Sequence, residues 1–368
     1  MFLVNNSKLI TFPSPTDLHV HFRQHDVNGL DILSEVAPFH RHFGTVVAMP
    51  NTTPPITVLP TLGWSPENYR NIVVNAIGSG STGVIVPIYL TDATTHGDIN
   101  FAHVKYSNKV AKLYPKGDGG TTNSGNGVTL SKIEELYPCF KTMENLGIVL
   151  SVHGEDPDER EPINAILNFL KILGPICTKF PRLKVVIEHI STQSEIDFIK
   201  WHPNIYGGIT LHHMDFSLGD TQSDGGNHLK CLPPLKGASD KLAIMEAAMS
   251  GNPKFFFGSD SAPHAKEFKN GSFEEAHNGC FTAPVLLERL ATIFDRFSCL
   301  HMLPGFVSYF GAQFYGFNVS RRLITLRMKT KEQMDRERAE RPTYSTSNVT
   351  CPYDLFLEKQ ITWEIVEG

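Results

Sequence analysis

Short apolar runs recur along the chain, at residues 18–22, 45–49, 84–90, 110–114, 148–152, 183–187, 205–211 and 255–257. Each is too short for a stable helix and is bounded by turn-forming or polar positions, so the eight runs read as strands. Between several of them, at residues 131–145, 162–173 and 239–249, apolar positions recur at helical spacing. Strands alternating with helices indicate a parallel sheet, and eight such units predict an α/β protein built as a (β/α)8 TIM barrel. An open doubly wound sheet fits less well, because Gln24-His25-Asp26-Val27-Asn28 after the first run is not the glycine-rich turn that its nucleotide-binding variants need.

The first run carries the most chemistry. In Asp17-Leu18-His19-Val20-His21-Phe22-Arg23, strict alternation sets Leu18, Val20 and Phe22 on one face and Asp17, His19, His21 and Arg23 on the other. Two imidazoles about 7 Å apart at the Cα level can converge on one metal ion. A half-buried strand with histidines facing water has the same pattern, so partners elsewhere must decide. Other runs supply them at or just beyond their C-terminal ends: Lys112, His153, His189 and Asp260. Barrels carry their sites on that rim. Taken singly, each residue suits a cap, a turn or a solvated lysine head. Repetition at four strand ends argues for one shared site.

Length and composition narrow the picture without changing it. At 368 residues, one large domain suffices, with the barrel expected over 1–320 and a C-terminal extension over 321–368 packing on it. The extension begins with mixed charges around Lys331 to Arg338, expected as a solvated helix. A net charge of -5 argues against a broad nucleic-acid surface. The six cysteines contain no Cys-x-x-Cys pair, and no apolar run reaches membrane length. A cytoplasmic protein with reduced thiols is expected, because residues 1–4 are too short a run for a signal peptide.

With these residues assembled, the chain resembles dihydroorotases of the monofunctional, bacterial-like type, within the metal-dependent amidohydrolase superfamily. The resemblance spans nearly the whole chain. Its carriers are the first run, Met49-Pro50-Asn51-Thr52-Thr53-Pro54-Pro55, Ala111-Lys112-Leu113-Tyr114-Pro115, Val152-His153-Gly154-Glu155, Glu188-His189-Ile190-Ser191-Thr192, Cys231-Leu232-Pro233-Pro234-Leu235-Lys236 and Gly258-Ser259-Asp260-Ser261-Ala262-Pro263-His264.

That resemblance implies two Zn2+ per subunit. His19, His21 and Asp260 would hold one ion, His153 and His189 the other, with Lys112 bridging both as a carbamate. Zinc lowers the pKa of water from about 16 to about 7. Hydroxide would attack the ring amide while Asp260 carries the proton, as base and then as acid. The reverse direction cyclises N-carbamoyl-L-aspartate to L-dihydroorotate in pyrimidine synthesis. Arg23, Asn51 and His264 would bind the free carboxylate, and the backbones of Leu232 and Ala283 the ring amides. The glycine-rich segment 116–127 would act as a lid through Thr121 and Thr122, though it is longer than the family pattern. Leu211-His212-His213-Met214 departs from that pattern and is assigned no ligand. A homodimer without nucleic-acid or membrane partners is implied. The alternatives are another cyclic amidase (hydantoinase, dihydropyrimidinase or allantoinase) or a non-catalytic scaffold barrel.

Overall fold

In the computed structural model, which describes residues 2–4, 7–23, 31–58, 65–117 and 124–367, the runs rich in valine, isoleucine and phenylalanine pair as strands. β1 (Phe2–Val4) and β2 (Ser7–Pro13) come first. The barrel strands follow: β3 (Thr16–Val20), β4 (Thr45–Ala48), β5 (Gly83–Ile85), β6 (Ile88–Tyr89), β7 (Val110–Leu113), β8 (Val149–Val152), β9 (Val185–Ile187), β10 (Ile205–Ile209) and β11 (Phe255–Phe257). β12 (Leu323–Met328) and β13 (Trp363–Glu367) lie near the C-terminus.

β3 to β5 pair in parallel, and so do β6 to β11, in chain order. The expected run 84–90 is two strands, because Pro87 has no N–H to offer the ladder. β11 returns to β3, where Asp260 N donates to His19 O at 2.7 Å and His21 N donates to Ser261 O at 3.0 Å. Counting β5 and β6 as one interrupted strand, the ring has eight positions and is the expected barrel.

Helices cover the outside. The helical segment expected at 131–145 begins as the 3-10 turns Leu130–Leu136 and becomes an α-helix only at Tyr137–Leu146, where Pro138 occupies the first turn. Pro162–Lys179 and Ala238–Met249 form the other two expected helices.

Inside the barrel, Val47, Val110, Val149, Val186 and Phe256 pack in one cluster with Tyr315. Leu18 joins them, whereas Val20 and Phe22 pack in the outer core. Strict alternation along the first run is therefore wrong at Leu18. The β3–β4 register slips between Asp17 and Val20, so three steps on β3 face two on β4 and the local side-chain order is reset, as at a β-bulge. Asp17 also leaves the face of the histidines. Its carboxylate accepts from Ser259 N at 2.8 Å and lies 3.2 Å from His40 Nε2.

The two ends of the chain meet. β1, β2, β12 and β13 form one antiparallel sheet in that order, so residues 323–328 and 363–367 share a sheet with residues 2–4 and 7–13. The helix Lys331–Glu340 buries no residue. Among the described residues no helix is long and apolar enough to cross a membrane.

Candidate metal centre and active site

Two residues beyond the apolar layer on three neighbouring strands, the barrel interior turns polar, with Lys112 on β7, Ser151 on β8 and Glu188 just after β9. His19 and His21 approach from β3 and its end, and their Nε2 atoms lie 3.2 Å apart. Asp260 Oδ1 is 3.3 Å from His19 Nε2 and 3.0 Å from His21 Nε2. All three side chains are buried, and their ligand atoms are within 4.8 Å of one another. On the facing strands, His153 Nδ1 lies 3.1 Å from His189 Nε2. The His19 and His189 rings are 5.2 Å apart, which joins the two halves.

The backbone pays a local strain for this convergence, since Arg23, His189 and Asp260 have φ of 59°, 42° and 43°. Few non-glycine residues adopt that region, and here it turns three strand ends so that their side chains line one cavity. Burial, reinforced by nearby Lys112, Arg23 and neighbouring imidazoles, pushes His19, His21 and His189 below the usual histidine range. Neutral imidazoles are the form that binds metal. Burial raises the Asp260 carboxyl, against the opposing pull of His19, His213 and Lys112.

Lys112 is fully buried, and its Nζ has no hydrogen-bond partner among the described residues. It lies 4.9 Å from the Tyr114 ring centre. Burial lowers its pKa to about 8, against the pull of Glu188 and Asp260. An orphaned polar atom inside a ring of ligands fits a group that is completed by something bound there.

Glu188 and Glu155, absent from the sequence-based site, and Asn51, expected there as a substrate contact, hold its ligands in place. Glu188 faces His19 Nδ1, Glu155 Oε2 lies 3.0 Å from His153 Nε2, and Asn51 Oδ1 lies 2.9 Å from His21 Nδ1. The signal for Glu188 and Glu155 was present, since Glu188 directly precedes His189 and Glu155 follows His153 by two residues, both at strand ends.

Arg23 lies on the rim of the same cavity as His19, His21, Asn51, Leu232 and Asp260. Its guanidinium is 3.1 Å from His264 Nε2, and its Nε donates to Pro263 O at 3.3 Å. Ala283, in contrast, is not at this cavity. Its N–H donates to Ser261 Oγ, and the residue lines an outer groove with Phe39 and Leu286. Asn278 and Gly279 occupy the cavity wall instead, and no local pattern marks them. Thr121 and Thr122 fall outside the described residues.

A second group, His212, His213 and Cys231, also brings ligand atoms within 4.8 Å. His213 already engages both ring nitrogens, with Thr210 Oγ1 at 2.8 Å and Pro233 O at 3.0 Å. It thereby ties the end of β10 to the Leu232 segment.

An eight-stranded parallel barrel with histidines and an aspartate gathered at the C-terminal ends of its strands is the build of a metal-dependent amidohydrolase. No protein-family model matches the chain. The dihydroorotase of Aliivibrio fischeri strain MJ11 is 38% identical over 326 residues, covering 86% of this chain and 90% of its own. The crystal structure of dihydroorotase from Campylobacter jejuni has a TM-score of 0.80 at 30% identity, covering 99% of both chains. The dihydroorotase of Saccharomyces cerevisiae, in complex with 5-fluoroorotic acid, has a TM-score of 0.81 at 27% identity, covering 98% of this chain and 99% of its own. The chain belongs to the dihydroorotase family.

Proposed function

We propose that this chain interconverts L-dihydroorotate and N-carbamoyl-L-aspartate as a zinc-dependent dihydroorotase of pyrimidine biosynthesis. The observation that carries the reading is Arg23, which lines the cavity that holds His19, His21 and Asp260 and is backed by His264. A guanidinium recognises a carboxylate by two parallel hydrogen bonds, and a relative of this chain is known in complex with a pyrimidine carboxylic acid.

Two zinc ions fit the donor set. His19, His21 and Asp260 would hold one ion and His153 and His189 the other, with Lys112 bridging as a carbamate. What supports the lysine's role is its orphaned, fully buried Nζ and a pKa near 8, which leaves an appreciable neutral amine fraction to capture carbon dioxide. The ions would supply Lewis acidity, polarising the ring carbonyl and lowering the pKa of water from about 16 to about 7. Asp260 takes the proton from water and returns it to the ring nitrogen. Arg23 fixes the substrate carboxylate, and the main chain at Leu232 and Asn278, which line the same cavity, would meet the ring amide groups. Thr121 and Thr122 would close over the substrate. The family also implies a cytoplasmic homodimer, and the mass in solution tests the dimer.

Hydrolysis of dihydroorotate, dihydrouracil, hydantoin and allantoin by the zinc-loaded protein, assayed side by side, tests this reading. Turnover of dihydroorotate alone is expected. Equal or faster turnover of a ring without the carboxylate overturns it in favour of another cyclic amidase, and no turnover of any ring leaves a scaffold barrel.

A further inference from the structure

Lys269 closes the short helix Lys266–Lys269 and is only 4% exposed. Among the described residues no carboxylate pairs with its ammonium. Nζ instead donates to His277 O at 2.9 Å, Gly279 O at 2.9 Å and Lys230 O at 3.3 Å. An ammonium has three donors, and here three main-chain carbonyls take them.

Those carbonyls belong to two segments that wall the catalytic cavity. Lys230 precedes Cys231 and Leu232, while His277 and Gly279 flank Asn278. Gly279 N also donates to Lys230 O at 2.8 Å. The fit against the barrel is close. Gly279 has φ of 152°, and a Cβ there would lie 2.4 Å from Ala262 O, two residues beyond Asp260. Asn278 O is 2.9 Å from the same His264 nitrogen that approaches Arg23. The wall held by Lys269 is therefore the wall on the guanidinium side of the cavity.

We propose that Lys269 is a positioning residue for the anionic substrate: its ammonium fixes segments 230–232 and 277–279 against Arg23 and His264, and adds a positive charge that no carboxylate among the described residues neutralises. The inference rests on the dihydroorotase reading. Burial lowers this lysine's pKa to about 8, opposed by the Cys280 and Cys231 thiols and reinforced by Lys230. The other titratable groups around it are His228, His264 and His277. Deprotonation removes one of the three donors together with the charge, so substrate affinity falls as pH rises through about 8.

The test is steady-state kinetics of K269M and K269Q, with bound zinc and melting temperature measured alongside. In K269M, KM for dihydroorotate is expected to rise about 10- to 100-fold with kcat within about threefold and zinc unchanged. K269Q, which keeps two donors but no charge, should fall between K269M and the wild type. The wild type's rise in KM above about pH 8 should be shallower in K269M. An unchanged KM in a folded variant overturns the inference. So does a matched fall in kcat and zinc content, or failure of both variants to fold, because each assigns Lys269 to the framework alone. Wild-type protein inactive on dihydroorotate instead overturns the functional reading on which the inference stands.

Discussion

Glu188 Oε2 lies 3.2 Å from Nδ1 of His19, with both side chains almost fully buried. The carboxylate sits on the side of the ring away from the metal-capable cluster, so the imidazole proton belongs at Nδ1 and the Nε2 lone pair faces His21 and Asp260. Glu188 is itself held, accepting from Ser151 Oγ at 2.7 Å and from Tyr315 OH at 3.1 Å. Gly208 makes its space, since a Cβ there would come within 2.7 Å of Oε2. Burial pushes this carboxyl upward, but His19, Lys112 and Ser151 outweigh that and hold it below the usual range.

Replacing this carboxylate tests the arrangement. Glu188→Gln is expected to preserve the fold and to weaken metal binding by about 10- to 100-fold. Chelator competition on the purified protein measures the loss, and unchanged affinity would assign Glu188 to packing.

Lys112 gives a separate readout. Lys112→Ala should reduce bound zinc from two ions towards one and lower kcat by at least about 100-fold. Elemental analysis measures the first effect. In the wild type, isotopically labelled bicarbonate should give a carbamate resonance that the variant lacks.

Arg23 separates substrates. Arg23→Met should cost about 2 to 4 kcal/mol with dihydroorotate, or roughly 30- to 1000-fold in kcat/KM. Any residual activity on dihydrouracil, which has no carboxylate, should change by less than about threefold. Equal losses on both rings would mean that the arginine organises the loop rather than the ligand.

Asp215 anchors the C-terminal segment to the barrel. It accepts from Arg289 at 2.7 and 2.8 Å and from Tyr353 OH at 2.7 Å, while Lys359 Nζ donates to its main-chain oxygen at 2.8 Å. Burial raises this carboxyl, but Arg289 outweighs burial, with Lys359 and Tyr353 adding to it, and the net direction is down. Because the folded pKa is the lower one, the pair stabilises the fold fully above the unfolded value of about 4 and is lost as pH falls through the folded pKa. Asp215→Asn should cost about 3 to 5 kcal/mol at neutral pH and flatten the acid limb of a melting-temperature profile below about pH 4.

The strand runs and the ligand residues were legible because both are local. A period of two marks a strand, and His19, His21, His153, His189 and Asp260 stand within three residues of the strand ends that carry them. Side-chain facing was legible only where the ladder is regular. The register slip between Asp17 and Val20 turned Leu18 into the barrel interior and Asp17 towards His40, and alternation contains no sign of such a slip. Tertiary structure alone decided contacts between distant segments. Tyr315 meets Glu188 across 127 positions, Lys269 joins residue 230 to residues 277–279, and β12 pairs with β2 across the whole barrel. Asn278 rather than Ala283 stands at the cavity for the same reason. Closing the sheet sets which strand ends and loops become neighbours, and a pattern read along one segment carries no record of what the ring brings beside it.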